Sequence, residues 1–253
     1  MPFALIDRWR APAPPADVAA WLGSVTYAHR GLHEEGVAEN STAAFAGAIA
    51  RGLGIECDVR RSKDGQAIVF HDATLERLTN RQGRLDDLPV GEITQIALRD
   101  GGGTIPTLRD MLDQVVGQVP LLLEIKSDKG RDIEVLCRAV RRDLEGYHGP
   151  VAVMSFDPRV GRWFARKAPA IVRGLVVTEQ DKRTWQAAVE RHVSLWTSRA
   201  QFLAYDIRDL PGAFPARQRR RGLPLLTWTV KSPALRERAA AHADAPIAEG
   251  EGL

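Results

Sequence analysis

Short apolar runs alternate with longer stretches in which apolar residues recur at helical spacing. The apolar runs predict eight strands, at residues 25–29, 54–59, 120–126, 151–155, 172–177, 202–206, 225–228 and 246–248. The amphipathic stretches predict helices at residues 42–51, 107–116, 131–144, 158–167, 182–192, 211–221 and 233–242. Such alternation is typical of βαβ units with a parallel sheet, and eight strands favour a closed α/β (β/α)8 TIM barrel over an open sheet.

The pattern shows no boundary that would split the chain. We therefore predict an irregular, proline-rich N-terminal lead-in at residues 1–22 and a single barrel domain at residues 23–253. The longest connection, residues 60–104, follows the second strand and contains a hairpin-like turn at Lys63-Asp64-Gly65. This connection forms a short insertion after the second strand. We expect it to lie on the C-terminal face of the barrel, where the active sites of such barrels are found.

Composition and charge narrow the class of protein. Charged residues make up 26% and hydrophobic residues 44% of the 253 residues, which disfavours disorder. The net charge of +3 gives no extended basic footprint for nucleic acid. Asp7 and Arg8 interrupt the apolar start that a signal peptide needs, and no apolar run is long enough to span a membrane. We expect a soluble cytoplasmic protein with no nucleic-acid partner and no stable membrane insertion, and leave its oligomeric state open.

Three carboxylates occupy positions where burial is costly. Glu56 and Asp58 lie two residues apart on a predicted strand, so both point to the same face, and Glu124 and Lys126 repeat this spacing on another strand. Ion pairs with nearby Arg or Lys side chains would account for Glu56 and Asp58 without a metal, and an ion pair between Glu124 and Lys126 would account for that strand. Together, however, three carboxylates at one barrel mouth repel each other and raise at least one pKa unless a cation is bound. Oxygen donors favour Mg²⁺ or Ca²⁺ over zinc.

Two histidines are predicted at the same face as these carboxylates. His29 ends the first strand, and His71 follows an apolar run and precedes Asp72. A single histidine at a strand end is more often structural, but two beside an acidic cluster favour proton transfer by an acid–base pair. Arg30 and Lys126 add positive charge for an anionic oxygen. These residues together predict phosphoryl chemistry.

Several motifs occur in a fixed order over residues 26–127 and resemble those of the glycerophosphodiester phosphodiesterase family. They are His29-Arg30-Gly31, Glu39-Asn40-Ser41, Gly54-Ile55-Glu56-Cys57-Asp58-Val59, Lys63-Asp64-Gly65, His71-Asp72, Leu75 with Arg77 and Thr79, Ile105-Pro106-Thr107-Leu108 and Glu124-Ile125-Lys126. Beyond residue 127 the resemblance thins to Ser155-Phe156 and Thr227-Trp228-Thr229-Val230.

This resemblance implies a metal-dependent TIM-barrel enzyme that hydrolyses glycerophosphodiesters to sn-glycerol 3-phosphate and an alcohol. It implies that Glu56, Asp58 and Glu124 hold Mg²⁺ or Ca²⁺. It also implies that His29 and His71 are the general acid and general base, in an order that the sequence leaves open.

The resemblance also implies a substrate-binding set. Arg30 and Lys126 match phosphate-contacting positions, and Trp228 matches an aromatic residue beside the glycerol pocket. Asn40 either caps the following helix or supports the site. The chain departs from the family pattern at residues 246–250, so we expect a different loop after the last strand. The alternatives are a lysophospholipase D-like or sugar-phosphodiester hydrolase of the same lineage, or a catalytically silent barrel that binds phosphorylated ligands.

Overall fold

Strands and helices alternate along the chain in the computed structural model, which describes residues 3–128, 132–179 and 184–253. The strands are β1 (Tyr27–His29), β2 (Gly54–Arg61), β3 (Ala67–Val69), β4 (Leu121–Ile125), β5 (Val151–Ser155), β6 (Val172–Val177), β7 (Phe202–Asp206), β8 (Leu225–Val230) and β9 (Ala245–Ala248). The helices are α1 (Phe3–Arg10), α2 (Ala16–Leu22), α3 (Thr42–Ala50), α4 (Val90–Ile93), α5 (Leu108–Val115), α6 (Glu134–Asp143), α7 (Pro158–Lys167), α8 (Trp185–Ser198), α9 (Ala213–Arg220) and α10 (Pro233–His242).

Each predicted strand overlaps an observed one, and each predicted helix overlaps an observed helix. The predicted starts of two helices, at residues 131 and 182, lie outside the described residues. The predicted irregular lead-in is wrong in part, because α1 and α2 occupy most of it. Pro12, Pro14 and Pro15 lie between the two helices, and Pro15 immediately precedes α2, where a missing N–H costs no helical hydrogen bond.

The chain divides into two compact units, which are described separately. The first comprises Met1–Tyr27 and Ala152–Leu253. Within it, β5 to β9 pair in parallel with their sequence neighbours. Buried apolar side chains such as Leu203 and Leu225 form its core, and α1 packs against α8.

The second unit, Ala28–Val151, contains the candidate site. In it β2 pairs in parallel with β4 and antiparallel with β3, which confirms the hairpin predicted within residues 60–104. The rest of that connection packs on its own apolar cluster, which includes Phe70, Leu75, Leu85 and Ile93. This packing gives the long connection a defined course beside β2.

Side-chain caps fix the starts of two helices in this unit. The Ser41 hydroxyl accepts a hydrogen bond from the Ala44 amide at α3, and Thr107 and Asp110 form a reciprocal capping box at α5. The β2 register places Asp58 opposite Glu124 of β4. Parallel pairing thus brings the acidic residues of both strands to the same level.

Candidate active site

The three predicted carboxylates come together in the second unit. Oxygen atoms of Glu56, Asp58 and Glu124 lie within 4.8 Å of one another. Glu56 and Asp58 are each 1% exposed and Glu124 is 8% exposed. The period of two along β2 and the register with β4 together produce this cluster.

The carboxylates have unequal electrostatic environments. Burial, with repulsion by Asp58 and Glu124, raises the pKa of Glu56 well above its ordinary value. Burial also raises the pKa of Glu124, against the opposing effect of Lys126. Burial opposes ionisation of Asp58 too, but Lys126 and Arg30 outweigh it and lower the pKa of Asp58. The predicted rise in at least one carboxyl pKa is therefore found at two of the three.

Lys126 and Arg30 lie against these carboxylates. The Lys126 Nζ is 2.8 Å from Asp58 Oδ1 and 2.5 Å from Glu124 Oε1. The Arg30 Nε lies 3.2 Å from Asp58 Oδ2, and the Arg30 amide donates to Glu56 Oε2 at 3.1 Å. The ion pairs considered from sequence are thus present, and phosphate contact by Arg30 and Lys126 stays a prediction.

The cluster fits a hard divalent cation. Glu56 Oε1 is buried and has no hydrogen-bond partner among the described residues. A buried carboxylate oxygen without a donor is costly unless a cation or water satisfies it. All three side chains offer oxygen ligands, which is the donor set of Mg²⁺ and Ca²⁺. The identity of the metal stays a prediction.

Both predicted catalytic histidines lie beside the carboxylates. The His29 Nε2 is 4.0 Å from Glu56 Oε2, and the His29 side chain is 15% exposed. The His71 Nδ1 is 2.6 Å from Asp72 Oδ1, so Asp72 can fix the ring orientation and tautomer. Burial lowers the pKa of His71, although Asp58 opposes this effect. Both rings are partly accessible, as proton transfer to a substrate requires.

Two residues link these groups but received no role from sequence. Arg77 donates to both oxygens of Glu39, at 2.9 and 2.7 Å, and also to Asp72, at 2.5 Å from its Nε. Glu39 in turn accepts from Arg30 Nη1 at 2.7 Å. These bonds join His71 to Arg30 through Asp72, Arg77 and Glu39. The sequence shows these residues only within motifs, and nothing in their spacing reveals that they pair.

Asn40 supports the site and does not cap α3. Its Nδ2 donates to Asp58 Oδ2 at 2.9 Å, and its Oδ1 accepts from the Asp58 amide at 3.2 Å. Ser41 supplies the helix cap instead. Arg30 and Asn40 both adopt the left-handed region, with φ of 57° and 55°, and the Asn40 amide donates to the Arg30 carbonyl. This costly backbone shape directs both side chains to Asp58.

Trp228 belongs to the first unit and is half-buried. Its Nε1 donates to the Ala204 carbonyl at 3.0 Å, and its ring packs edge-on against Phe156 at 5.5 Å between centroids. Phe156 itself is 46% exposed. The predicted glycerol contact of Trp228 stays a prediction.

Strands and helices alternate along the chain, and one unit holds a buried acidic cluster beside two histidines and two cationic side chains. This combination is typical of α/β-barrel enzymes that act on phosphoryl groups. The chain matches the model of the glycerophosphoryl diester phosphodiesterase family over residues 29–246. The chain belongs to this family, as its motifs predicted. Several of its curated relatives are named glycerophosphodiester phosphodiesterase, which is the enzyme class that the motifs predict.

A glycerophosphodiester phosphodiesterase from Caldanaerobacter subterraneus subsp. tengcongensis is 31% identical over 167 residues, which cover 61% of this chain and 67% of the relative. Alignments with eight curated relatives cover between 42% and 67% of each relative's length. The chain thus spans about two fifths to two thirds of the length of these relatives.

Solved structures confirm the predicted fold class, the (β/α)8 TIM barrel. A phosphodiesterase from Oleispira antarctica, in complex with the product sn-glycerol-3-phosphate, superposes with a TM-score of 0.78 and 24% identity over 91% of this chain and 94% of that one. A glycerophosphodiester phosphodiesterase from Thermotoga maritima gives a TM-score of 0.71 and 24% identity over 88% and 93%. No helix within the described residues is long and apolar enough to cross a membrane.

Proposed function

We propose that this chain hydrolyses glycerophosphodiesters to sn-glycerol 3-phosphate and an alcohol in a reaction that depends on a divalent cation. The observation that carries the proposal is the buried cluster of Glu56, Asp58 and Glu124, flanked by two histidines and two cationic side chains. Family membership and the product named for the Oleispira antarctica relative support the substrate class. A small-molecule glycerophosphodiester is therefore the proposed substrate. The cytoplasmic location stays a prediction.

Glu56, Asp58 and Glu124 would hold the cation, which we propose to be Mg²⁺ or Ca²⁺. When bound, such an ion supplies Lewis-acid stabilisation of the negative charge that develops on the phosphoryl oxygens. Asn40 keeps Asp58 oriented by two hydrogen bonds, so that ligand position does not depend on the ion alone. Arg30 and Lys126 add positive charge beside the same carboxylates.

His29 and His71 perform the proton transfers. One ring removes a proton from the attacking hydroxyl, and the other donates a proton to the leaving alkoxide oxygen. With its proton on Nδ1, the His71 ring donates a hydrogen bond to Asp72 Oδ1, which leaves the His71 Nε2 available for substrate. Arg77 holds Asp72 ionised, since hydrogen bonds from Arg77 and His71 outweigh burial and lower the pKa of Asp72 to about 2.

Replacing each histidine separately tests these roles. We expect His29→Ala and His71→Ala to lower kcat by roughly 100- to 10,000-fold on a soluble glycerophosphodiester, because each removes one proton-transfer group. His148→Ala, an exposed histidine of the same unit, is the matched control and should retain full activity. Activity within a few-fold of the parent in either site variant would refute the assignment.

A further inference from the structure

An open groove on the first unit combines apolar side chains with a dense set of arginines. The groove encloses about 800 Å³ between α1, α7 and α8. Ile6, Trp9, Val193 and Trp196 supply its apolar surface. We call this surface, together with the adjoining face of α1, the basic groove. Nothing in the proposed hydrolysis uses it.

Helix α1 presents its apolar residues outward. Leu5 is 82% exposed and Trp9 is 73% exposed, and their spacing of four residues puts them on one helical face. Asp7, by contrast, is 0% exposed. A helix that packs only to bury hydrophobic area would show the opposite orientation. The exposed Leu5 and Trp9 therefore need another explanation.

Specific polar contacts fix this inverted orientation. Asp7 Oδ1 lies 2.8 Å from His192 Nδ1 and accepts from Trp196 Nε1 at 2.8 Å. Asp7 Oδ2 accepts from Gln218 Nε2 at 2.9 Å, and the ring of Phe3 stacks on His192 at 4.6 Å between centroids. Rotating α1 to bury Trp9 would break the contacts of a buried carboxylate, which is costly. The polar contacts of Asp7 thus fix α1 in the orientation that exposes Leu5 and Trp9.

The charges around the basic groove have one sign. Arg10, Arg162, Arg166 and Arg199 line it, and no Asp or Glu lines it within the part of the chain that the structure describes. The Arg10 guanidinium lies over the Trp9 ring at 4.4 Å from its centroid. Arg8 adds a further exposed cation on α1. Arginines beside tryptophan and aliphatic side chains are the composition of surfaces that bind anionic membranes.

We infer that the basic groove docks the protein peripherally on a membrane surface that contains anionic phospholipids. Trp9 and Leu5 enter the region of the lipid headgroups, and the arginines contact lipid phosphates. A second copy of this chain is a poorer occupant, because a two-fold contact would set the same arginines against each other. Docking of this kind involves no helix that spans the bilayer and is independent of the hydrolysis proposed above.

Vesicle flotation with the full chain tests this inference directly. We expect the protein to float with vesicles of phosphatidylglycerol and phosphatidylcholine in equal parts, and to stay in solution with vesicles of phosphatidylcholine alone. Because the attraction is partly electrostatic, ~0.5 M salt should remove most of the binding. Equal flotation with both vesicles, or none with either, would overturn the inference.

Two double variants separate the apolar and the charged contributions. Leu5→Ser with Trp9→Ser, and Arg162→Gln with Arg166→Gln, should each weaken partitioning onto anionic vesicles by about tenfold or more. Trp185→Ser matches the first change, because Trp185 is 75% exposed but lies outside the groove. Arg138→Gln with Arg141→Gln on α6 matches the second in net charge. Both controls should bind as the parent does.

Hydrolysis of a soluble glycerophosphodiester checks that every variant is folded, since none of these residues belongs to the proposed active site. Unchanged flotation of both groove variants would overturn the inference. A loss of flotation in the control variants as large as that in the groove variants would also overturn it. Concentration-dependent dimerisation of the parent, abolished by the Trp9 change while vesicle binding is absent, would assign the groove to a second copy. Binding of an acidic protein without vesicle binding would likewise overturn it.

Discussion

Glu56 has the least favourable surroundings of the three clustered carboxylates. It is buried, it faces Asp58 and Glu124, and its Oε1 has no hydrogen-bond partner among the described residues. Asp58, at the same depth, has Asn40, Arg30 and Lys126 around it. A residue placed at a cost to stability, where a neutral side chain would fit more easily, is characteristic of a functional site.

Replacing Glu56 with Gln separates metal binding from folding. The neutral amide removes the repulsion with Asp58 and Glu124, so we expect the metal-free variant to be at least as stable as the parent. The same change removes one anionic ligand, so metal binding should weaken and kcat should fall by at least about 100-fold. Thermal unfolding with and without Mg²⁺ or Ca²⁺, together with calorimetric titration, measures both effects.

Glu76→Gln is the matched control for this variant, because Glu76 is an exposed glutamate of the same unit. It should leave the metal-induced rise in Tm and the activity unchanged. If a divalent cation raised the Tm of Glu56→Gln as much as that of the parent, Glu56 would not be a metal ligand.

At the scale of elements, one hydrogen-bonded link joins the loop after β1 to the connection between β2 and α5. Arg77, from that connection, holds Glu39 of the first loop through two hydrogen bonds and also binds Asp72. Arg30 and His71 are therefore positioned relative to each other by Glu39, Arg77 and Asp72. A planar guanidinium is suited to this task, because it can bind two carboxylates in fixed directions.

Arg77→Lys tests this positioning role. Lysine keeps the charge but cannot make the paired hydrogen bonds, so we expect kcat to fall by about tenfold with a small change in KM. Loss of Asp72 orientation should also alter the pH profile of kcat, which a purely structural change would leave in place. Arg81→Lys, an exposed arginine in the same connection, should match the parent. An unaltered kcat and pH profile in Arg77→Lys would contradict the role.

Helix α1 gives a pH-dependent contribution to stability through Asp7. Burial opposes ionisation of Asp7, but hydrogen bonds from Gln218, Trp196 and His192 outweigh it and lower its pKa below 3.8. A depressed carboxyl pKa contributes stability that is complete above the unfolded-state pKa and is lost as the pH falls through the folded-state pKa. We therefore expect this contribution to disappear progressively below pH 3.8.

Asp7→Asn should lower the free energy of unfolding at neutral pH by about 1–3 kcal/mol, because an amide nitrogen would face the Gln218 donor. The difference between parent and variant should shrink as the pH falls below 3.8. Denaturant unfolding over a pH series measures it, with the exposed Asp17→Asn as control. A difference that stayed constant into acid would contradict the account of Asp7.

The N-terminal helices show what local sequence patterns miss. Pro12, Pro14 and Pro15 favoured the prediction of an irregular segment over residues 1–22. In the structure they lie in the short connection between α1 and α2. The orientation of α1 depends on Asp7 meeting His192, Trp196 and Gln218, which lie far along the chain. Contacts of such long range leave no periodic signal in the sequence.

At the scale of the whole molecule, periodicity predicted the elements and the carboxylate cluster well. Alternation of strands and helices indicated the barrel, and the spacing of Glu56 and Asp58 placed both on one face of β2. The pairing of Glu39 with Arg77 was not predictable, because it joins two loops with no regular pattern. The left-handed conformation of Arg30 was not predictable either, since arginine, unlike asparagine at position 40, seldom adopts it.

Substrate choice is also a property of the whole molecule. We expect faster turnover of glycerophosphocholine than of a lysophospholipid dispersed below its micelle concentration, since the groups around the carboxylate cluster are charged or polar side chains, which do not favour an acyl chain. Measuring kcat/KM for both substrates under the same metal conditions decides the point. A strong preference for the lysolipid would favour the lysophospholipase D-like alternative.

A single assay can measure whether this protein releases glycerol 3-phosphate and whether that release depends on a metal ion. The protein is stripped with EDTA, refilled with Mg²⁺ or Ca²⁺, and incubated with a panel of glycerophosphodiesters while glycerol 3-phosphate is quantified. We predict no release by the stripped protein and restored release after refilling with one of the two ions. Absence of release from every substrate after refilling would refute the proposed hydrolysis, and equal release before and after stripping would refute its dependence on a divalent cation.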